Sequence, residues 1–112
     1  MRRMKEKPFE TKCRRFLDRN GAYQIKYWGC QYTVAGVPDV LCCLCGHYIG
    51  IEMKGDTGRP SDLQLIHIDR IRKAGGYAFV LYPSAFDKFK EFVQSVIDGN
   101  APDPSEQEVI WK

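Results

Sequence analysis

Three charged residues in the middle of the chain have the types and spacing needed for phosphodiester chemistry. Asp39 follows Pro38, and twelve residues separate Asp39 from Glu52, with Lys54 two positions further on. Two carboxylates can hold a hard divalent cation such as Mg²⁺ or Mn²⁺, which keeps its other positions for water and phosphate oxygens. A neighbouring lysine offsets the negative charge that builds up at phosphorus. If the fold brings these side chains together, the sequence predicts phosphodiester hydrolysis.

The hydrophobic pattern predicts elements in the order αβββαβα. The strand at 48–53, a crossover helix and the strand at 77–82 imply a parallel pair beside an antiparallel hairpin. We therefore predict a single α/β domain, residues 1–99, with a mixed central sheet flanked by helices, and an acidic, Pro-containing tail, 100–112, that looks disordered to residue 108. The predicted elements are helices at 8–20, 61–74 and 85–98, the last capped by Ser84, and strands at 22–28, 40–45, 48–53 and 77–82.

The hairpin formed by the second and third predicted strands would assemble the charged residues. We place its tight turn at Gly46-His47 and expect its strands, which are rich in apolar residues, to be buried on both faces. The start of one antiparallel strand lies beside the end of its partner, so Asp39 should approach Glu52. Because side chains alternate between faces, Glu52 and Lys54 should share one face.

Two further polar residues are candidates for the same site, and each has an alternative role. Glu10 borders the apolar stripe of the first helix and could add a third carboxylate to the metal through its water shell. Its alternative role is to interact with the dipole at the helix start. Gln64 is three residues after Ser61, so a capping box explains it without any ligand.

The net charge of +3 is too small to indicate nucleic-acid binding, but the positive charges are concentrated at one end of the sequence. Residues 1–20 carry eight Lys and Arg against three acidic residues, whereas the remainder is mildly acidic. Candidate phosphate contacts, which would strengthen binding without reading sequence, are Arg14, Arg15, Lys26 and Arg59. The aromatic residues Tyr23, Tyr27 and Trp28 could stack on bases or could belong to the core or a dimer interface.

The cysteine content and the absence of long apolar runs indicate an intracellular protein without a membrane segment. Five cysteines, an odd number with three close together, fit reduced thiols better than a secreted disulfide framework. Cys43, Cys45 and His47 could suggest zinc, but alternating strand residues surround a tetrahedral ion poorly. We favour small apolar filling of a buried strand for these cysteines.

These motifs resemble a known nuclease family. Pro38-Asp39 followed by Glu52-Met53-Lys54 resembles the signature of the PD-(D/E)xK nuclease superfamily, and the predicted αβββαβ order matches that superfamily's core. More narrowly, the chain resembles the virus-type replication-repair nuclease domain, VRR-NUC, over nearly all of residues 8–83. The supporting residues are Glu10, Gly36-Val37-Pro38-Asp39, Ile51-Glu52-Met53-Lys54, and Ser61 with Gln64.

The resemblance implies a restriction-endonuclease-like fold and a set of roles. The matching acidic residues, Asp39 and Glu52 among them, would bind Mg²⁺ or Mn²⁺, Lys54 would be catalytic and Gln64 would lie at the active site. Stand-alone members are similar to Holliday-junction resolvases and act as dimers on branched DNA, which implies a homodimer and a branched DNA partner.

The sequence therefore predicts a metal-dependent, structure-selective endodeoxyribonuclease. A small domain supplies few base contacts, so binding should rest on phosphates and DNA shape. One alternative is a flap, nicking or restriction-like nuclease, which would use the same catalytic residues. A second is a DNA-binding module without turnover, although binding alone gains nothing from two carboxylates facing a polyanion. A zinc-dependent structural protein is a third.

Overall fold

A five-stranded sheet with strands in chain order and three α-helices make up the computed structural model, which describes residues 4–29 and 33–112. Strands β1, β2 and β3 are antiparallel, whereas β3, β4 and β5 are parallel, so the predicted α/β domain with a mixed sheet is confirmed. The elements are α1 (Glu6–Arg19), β1 (Tyr23–Lys26), β2 (Val40–Leu44), β3 (His47–Met53), α2 (Asp62–Lys73), β4 (Tyr77–Leu81), α3 (Phe86–Ile97) and β5 (Ile110–Trp111).

The helices divide between the two faces of the sheet. Buried side chains of α1 and α3, such as Phe9 and Phe89, pack in the main core with Ile51 and Phe79 of the sheet. A smaller cluster lies on the other face around Ile68 of α2. Within the described ranges, no helix is long and apolar enough to cross a membrane.

The hairpin differs from the prediction in its turn and in its burial. Its turn residues are Cys45 and Gly46, with φ of 51° and 83°, instead of Gly46-His47. Positive φ at both central residues matches the twist of the flanking strands. The expected burial on both faces is confirmed for β3 from Ile49 to Met53 but is wrong for β2, where Leu41 is only half-buried and Cys43 is exposed. Since α2 packs against β3 and β4, it leaves this part of β2 uncovered.

Two helix starts differ from the sequence expectation. Helix α1 begins at Glu6, two residues before Pro8, and the proline fits there because first-turn amides need no intrahelical partner. The predicted cap at Ser84 is wrong. Pro83 begins a 3-10 turn that includes Ser84, so this serine lies within a turn and not before the helix, and α3 starts at Phe86 without a side-chain cap.

The apolar stripe of α3 also departs from the expected one. Phe89, Val93 and Val96 are buried as predicted, but Ile97 is exposed, and Phe92 is buried in its place. Phe92 packs edge-on against Tyr77 and Trp111. The apolar stripe of α3 therefore contacts β5 through the rings of Phe92 and Trp111.

The end of the chain forms a fifth strand that the sequence analysis did not predict. Residues 104–106 form a 3-10 turn, and β5 pairs in parallel with β4. The Trp111 side chain is 1% exposed and stacks on Phe79 with ring centroids 3.8 Å apart. The expectation of disorder over residues 100–108 is therefore corrected: these residues include the 3-10 turn and lead into a strand that a buried aromatic side chain anchors.

We expect Trp111→Ala to destabilise the protein by about 3–5 kcal/mol, the usual loss when a large buried aromatic side chain is truncated. The neighbouring Ile110 lies in the same strand but is partly exposed, so Ile110→Ala is the matched control and should cost less than about 1 kcal/mol. Urea unfolding of the two variants measures both effects. Equal, small losses would show that β5 contributes little to stability.

Candidate active site

The hairpin brings Asp39 and Glu52 together. Val40 pairs with Ile51, so Asp39, one residue earlier, lies opposite Glu52, one residue later. The Asp39 Oδ2 atom accepts a hydrogen bond from the Met53 amide at 3.1 Å, which fixes this carboxylate at the end of β3. The convergence predicted from hairpin geometry is observed, and the site lies where β2 begins and β3 ends.

Glu52 is a buried carboxylate that is only partly satisfied. Its side chain is 2% exposed, and Oε2 lies 3.2 Å from Lys54 Nζ and accepts from Gln64 Nε2 at 3.0 Å. Its other oxygen, Oε1, is buried without a hydrogen-bond partner. Burial, followed by the charge of Asp39, raises the pKa of Glu52 to about 8, although Lys54 acts in the opposite direction. Glu52 is therefore a buried carboxylate whose negative charge is not fully balanced by nearby positive charge.

Gln64 forms the predicted capping box and also contacts Glu52. Its Oε1 atom accepts from the Ser61 amide at 2.8 Å, and its own amide donates to Ser61 Oγ at 3.1 Å, which completes a capping box at the start of α2. Its Nε2 group remains free to donate to Glu52. The cap therefore orients the side-chain amide so that its donor faces the carboxylate.

Gly36 allows the loop before Asp39 to lie against α2. Its φ is 86°, and a Cβ atom there would be 2.6 Å from Leu63 Cγ and 2.9 Å from the Leu63 carbonyl. A side chain would be strained by the backbone angle and would collide with the helix. This close approach fixes the loop that leads to Asp39 against the helix that carries Gln64.

Lys26 occupies a position that the sequence analysis did not foresee. Its Nζ atom lies 2.5 Å from Glu10 Oε1 and 3.7 Å from Asp39 Oδ1, and all three side chains are largely buried. Burial by itself would lower the pKa of Lys26, but the hydrogen bond to Glu10 and the charge of Asp39 outweigh burial and raise it. Lys26, predicted as a surface phosphate contact, is an internal counter-ion of the site. The alternation of side chains along β1 indicates which face of the strand Lys26 occupies, but not its contacts with Glu10 and Asp39.

The other basic candidates lie outside this cluster. Arg14 is half-buried and its Nε donates to Gln24 Oε1 at 2.8 Å. Arg15 is exposed on α1, and Arg59 is exposed in the loop between β3 and α2. The predicted basic segment also includes Arg2 and Arg3, which, like Cys30, lie outside the described residues. The exposed arginines remain candidates for phosphate contact.

The ligand sets proposed for metals are present only in part. Among residues 4–29 and 33–112, no three His, Cys, Asp or Glu side chains form a ready ligand group. Asp39 and Glu52 are a pair, while Glu10 is engaged by Lys26. Cys43 and Cys45 are exposed thiols, which corrects the expectation that they fill a buried strand; Cys42 does so instead.

Comparison of the chain with protein-family models, with curated proteins and with solved structures gives no match.

Proposed function

We propose that this protein is a metal-dependent nuclease that hydrolyses DNA phosphodiester bonds at Asp39, Glu52 and Lys54. The observation that carries the proposal is the buried Glu52 carboxylate, whose Oε1 atom has no partner although Asp39 lies beside it. An ionised carboxylate is stable in such a place only with adequate positive charge. Lys54 and Lys26 supply two positive charges against the three carboxylates of Glu10, Asp39 and Glu52, which leaves one negative charge for a further cation to offset.

A divalent cation fits this need by the chemistry of the donors. Asp39 and Glu52 would hold it, since Mg²⁺ and Mn²⁺ take carboxylate oxygens and Mg²⁺ commonly uses only one or two of them in a protein site. When bound, the cation would polarise the phosphoryl group and lower the pKa of a bound water. Glu10, one side chain further out, would contribute through water once Lys26 releases it.

The chain's own residues account for the remaining requirements. Lys54 Nζ lies at the border of the pocket, where it would orient the attacking water and offset charge on the phosphoryl oxygens. Gln64 holds Oε2 of Glu52, which leaves Oε1 as the oxygen that can accept a further ligand. Because the capping box fixes Gln64, the geometry of Glu52 is set before substrate arrives.

The wider assignment follows from the motif resemblance. We assign the chain to the VRR-NUC branch of the PD-(D/E)xK nucleases, with a restriction-endonuclease-like fold, on the strength of its motifs and of the mixed sheet in which β2 and β3 carry them. A branched DNA substrate and a homodimer, which would present two sites to a junction, belong to this proposal. The strand directions, antiparallel from β1 to β3 and parallel from β3 to β4, support the restriction-endonuclease-like fold in this assignment.

The decisive experiment incubates the protein with labelled four-way junction, flap, single-stranded and linear duplex DNA. Each substrate is tested with Mg²⁺, with Mn²⁺ and with EDTA. We expect cleavage only with a divalent cation and faster cleavage of the branched substrates. Binding without cleavage under every condition would instead support the DNA-binding module.

Lys26 provides a test of the metal site that does not depend on cleavage. We expect Lys26→Met to bind Mn²⁺ about tenfold more tightly, because the substitution removes a competing cation and releases Glu10. A unit charge about 4 Å from a carboxylate is worth about 1 kcal/mol in water and about 4 kcal/mol near a protein surface. Calorimetric titration measures the affinity. The control is Lys73→Met, which removes a lysine that is 77% exposed, and unchanged or weaker binding by Lys26→Met would contradict this account.

A further inference from the structure

An exposed tryptophan stands beside the proposed active site. The Trp28 side chain is 74% exposed, and Lys26 Nζ lies 5.4 Å from the centroid of its ring. The same ammonium group contacts the carboxylates of Glu10 and Asp39. These distances place the indole within about 9 Å of the Asp39 carboxylate. A large aromatic side chain is therefore exposed to solvent next to the charged cluster of Glu10, Lys26 and Asp39.

The backbone around Trp28 is held in place. The amide of Tyr27 donates to the Asp39 carbonyl at 2.7 Å, which continues the pairing of β1 with β2 by one residue. The Tyr27 hydroxyl donates to the Val34 carbonyl at 3.1 Å. The indole is thus attached to a segment whose position is tied to Asp39 itself.

We infer that Trp28 is a stacking platform for an unpaired base of the DNA substrate, an inference that rests on the proposed nuclease function. Exposed aromatic rings bind single-stranded nucleic acid by stacking on base faces. In a duplex those faces are already occupied by neighbouring bases. Trp28 therefore favours substrates with unpaired nucleotides near the cut, such as a flap or the open centre of a branch.

The spacing defines which nucleotide is recognised. At about 3.4 Å per stacked nucleotide, the distance from the indole to Asp39 corresponds to two or three nucleotides at most. The recognised base therefore lies within about three nucleotides of the phosphate at the carboxylates. Trp28 therefore promotes cleavage close to unpaired nucleotides, because only there can a base stack on the indole while a phosphate lies at the carboxylates.

Tyr23, in the strand that precedes Trp28, serves as a matched control. It is 73% exposed, almost the same fraction as Trp28. However, Gln24 and Lys26 contact α1 through Arg14 and Glu10, so Tyr23, which alternates with them, points to the opposite face of the sheet. If exposure of an aromatic ring were sufficient, the two residues would behave alike.

Tryptophan fluorescence tests the contact without any cleavage. The other tryptophan, Trp111, is buried, so the emission that solvent or ligand can reach comes from Trp28. In EDTA at low ionic strength, oligothymidylate should quench the unsubstituted protein and Tyr23→Leu but not Trp28→Leu. Trp28→Leu should also bind the labelled oligonucleotide about tenfold more weakly, whereas Trp28→Phe should retain most of the affinity. Absent quenching, or equal binding by Trp28→Leu and Tyr23→Leu, would overturn the inference.

A cleavage comparison separates this inference from the function on which it rests. Trp28→Leu should lower cleavage of a flap about tenfold and leave cleavage of uninterrupted duplex unchanged. If the variant loses flap and duplex cleavage equally while the unsubstituted protein remains metal-dependent, the stacking role is wrong and the nuclease assignment stands. If no substrate is cleaved by the unsubstituted protein, the nuclease assignment falls, and oligothymidylate quenching still decides whether Trp28 binds unpaired bases.

Discussion

Asp39→Asn and Lys54→Ala should each reduce DNA cleavage by about a hundredfold to a thousandfold, the usual effect of removing one preorganised charge from a reaction centre. The asparagine side chain would keep the shape and the hydrogen bond from Met53 but lose the charge that holds a cation. The alanine substitution would remove the ammonium group beside Glu52. Single-turnover cleavage of a labelled flap, with binding measured separately in EDTA, should show loss of rate with binding retained.

Two surface residues provide charge-matched controls for these variants. Asp69 and Lys73 form an exposed ion pair on α2, so Asp69→Asn and Lys73→Ala change the same charges away from the site. Both should cleave at the unsubstituted rate, since neither side chain belongs to the site. Both should also stay folded, because an exposed ion pair contributes little to stability. Thermal unfolding of all four variants establishes that each is folded. Cleavage unchanged in both Asp39→Asn and Lys54→Ala would remove the proposed mechanism.

Glu52→Gln should make the metal-free protein more stable than the unsubstituted protein at pH 8 and above. In the folded protein burial and Asp39 raise the pKa of Glu52 to about 8 from an ordinary value of 4.5. The stabilisation from this group is therefore complete below the ordinary pKa and is lost as the pH rises through the folded value. Each pH unit in that interval removes about 1.4 kcal/mol, so the cumulative loss is a few kcal/mol. Glutamine does not titrate and avoids the loss.

The measurement is urea unfolding in EDTA between pH 5 and pH 9, expressed as the difference between Glu52→Gln and the unsubstituted protein. Taking the difference cancels titrations that both proteins share. Mn²⁺ at pH 8 should reverse the order, because a cation that binds the ionised carboxylates stabilises only the folded protein that has both of them. A difference that does not change with pH would show that Glu52 titrates normally and that its pocket does not require a cation.

The parts of the site that could be predicted from sequence depend on short-range geometry. Hairpin register follows from alternation and a tight turn, so the approach of Asp39 to Glu52 was predictable although the turn itself lies at Cys45-Gly46. The capping box of α2 involves residues three positions apart and was also predictable. What could not be read locally was that one side chain, Gln64, serves both the cap and the carboxylate.

Features that depend on distant segments were predicted poorly. The pairing of β5 with β4 joins residues about thirty positions apart, and a two-residue strand carries almost no periodic signal. The same holds for Lys26, whose partners belong to α1 and to the loop before β2. The residue type of Ser84 favours a helix cap, but Pro83 begins a turn one residue earlier, and this turn includes Ser84.

The amino-acid sequence by itself determined the class of fold, the hairpin that carries two carboxylates and a lysine, and the helix cap beside them. Each of these follows from residue type and from spacings within one element or between neighbours along the chain. Only the tertiary structure decided that Glu52 is buried with an unpartnered oxygen, that Lys26 stands between Glu10 and Asp39, and that Trp28 stays exposed next to them. Burial and counter-charge depend on which distant segments exclude water from a side chain, and that is a property of packing.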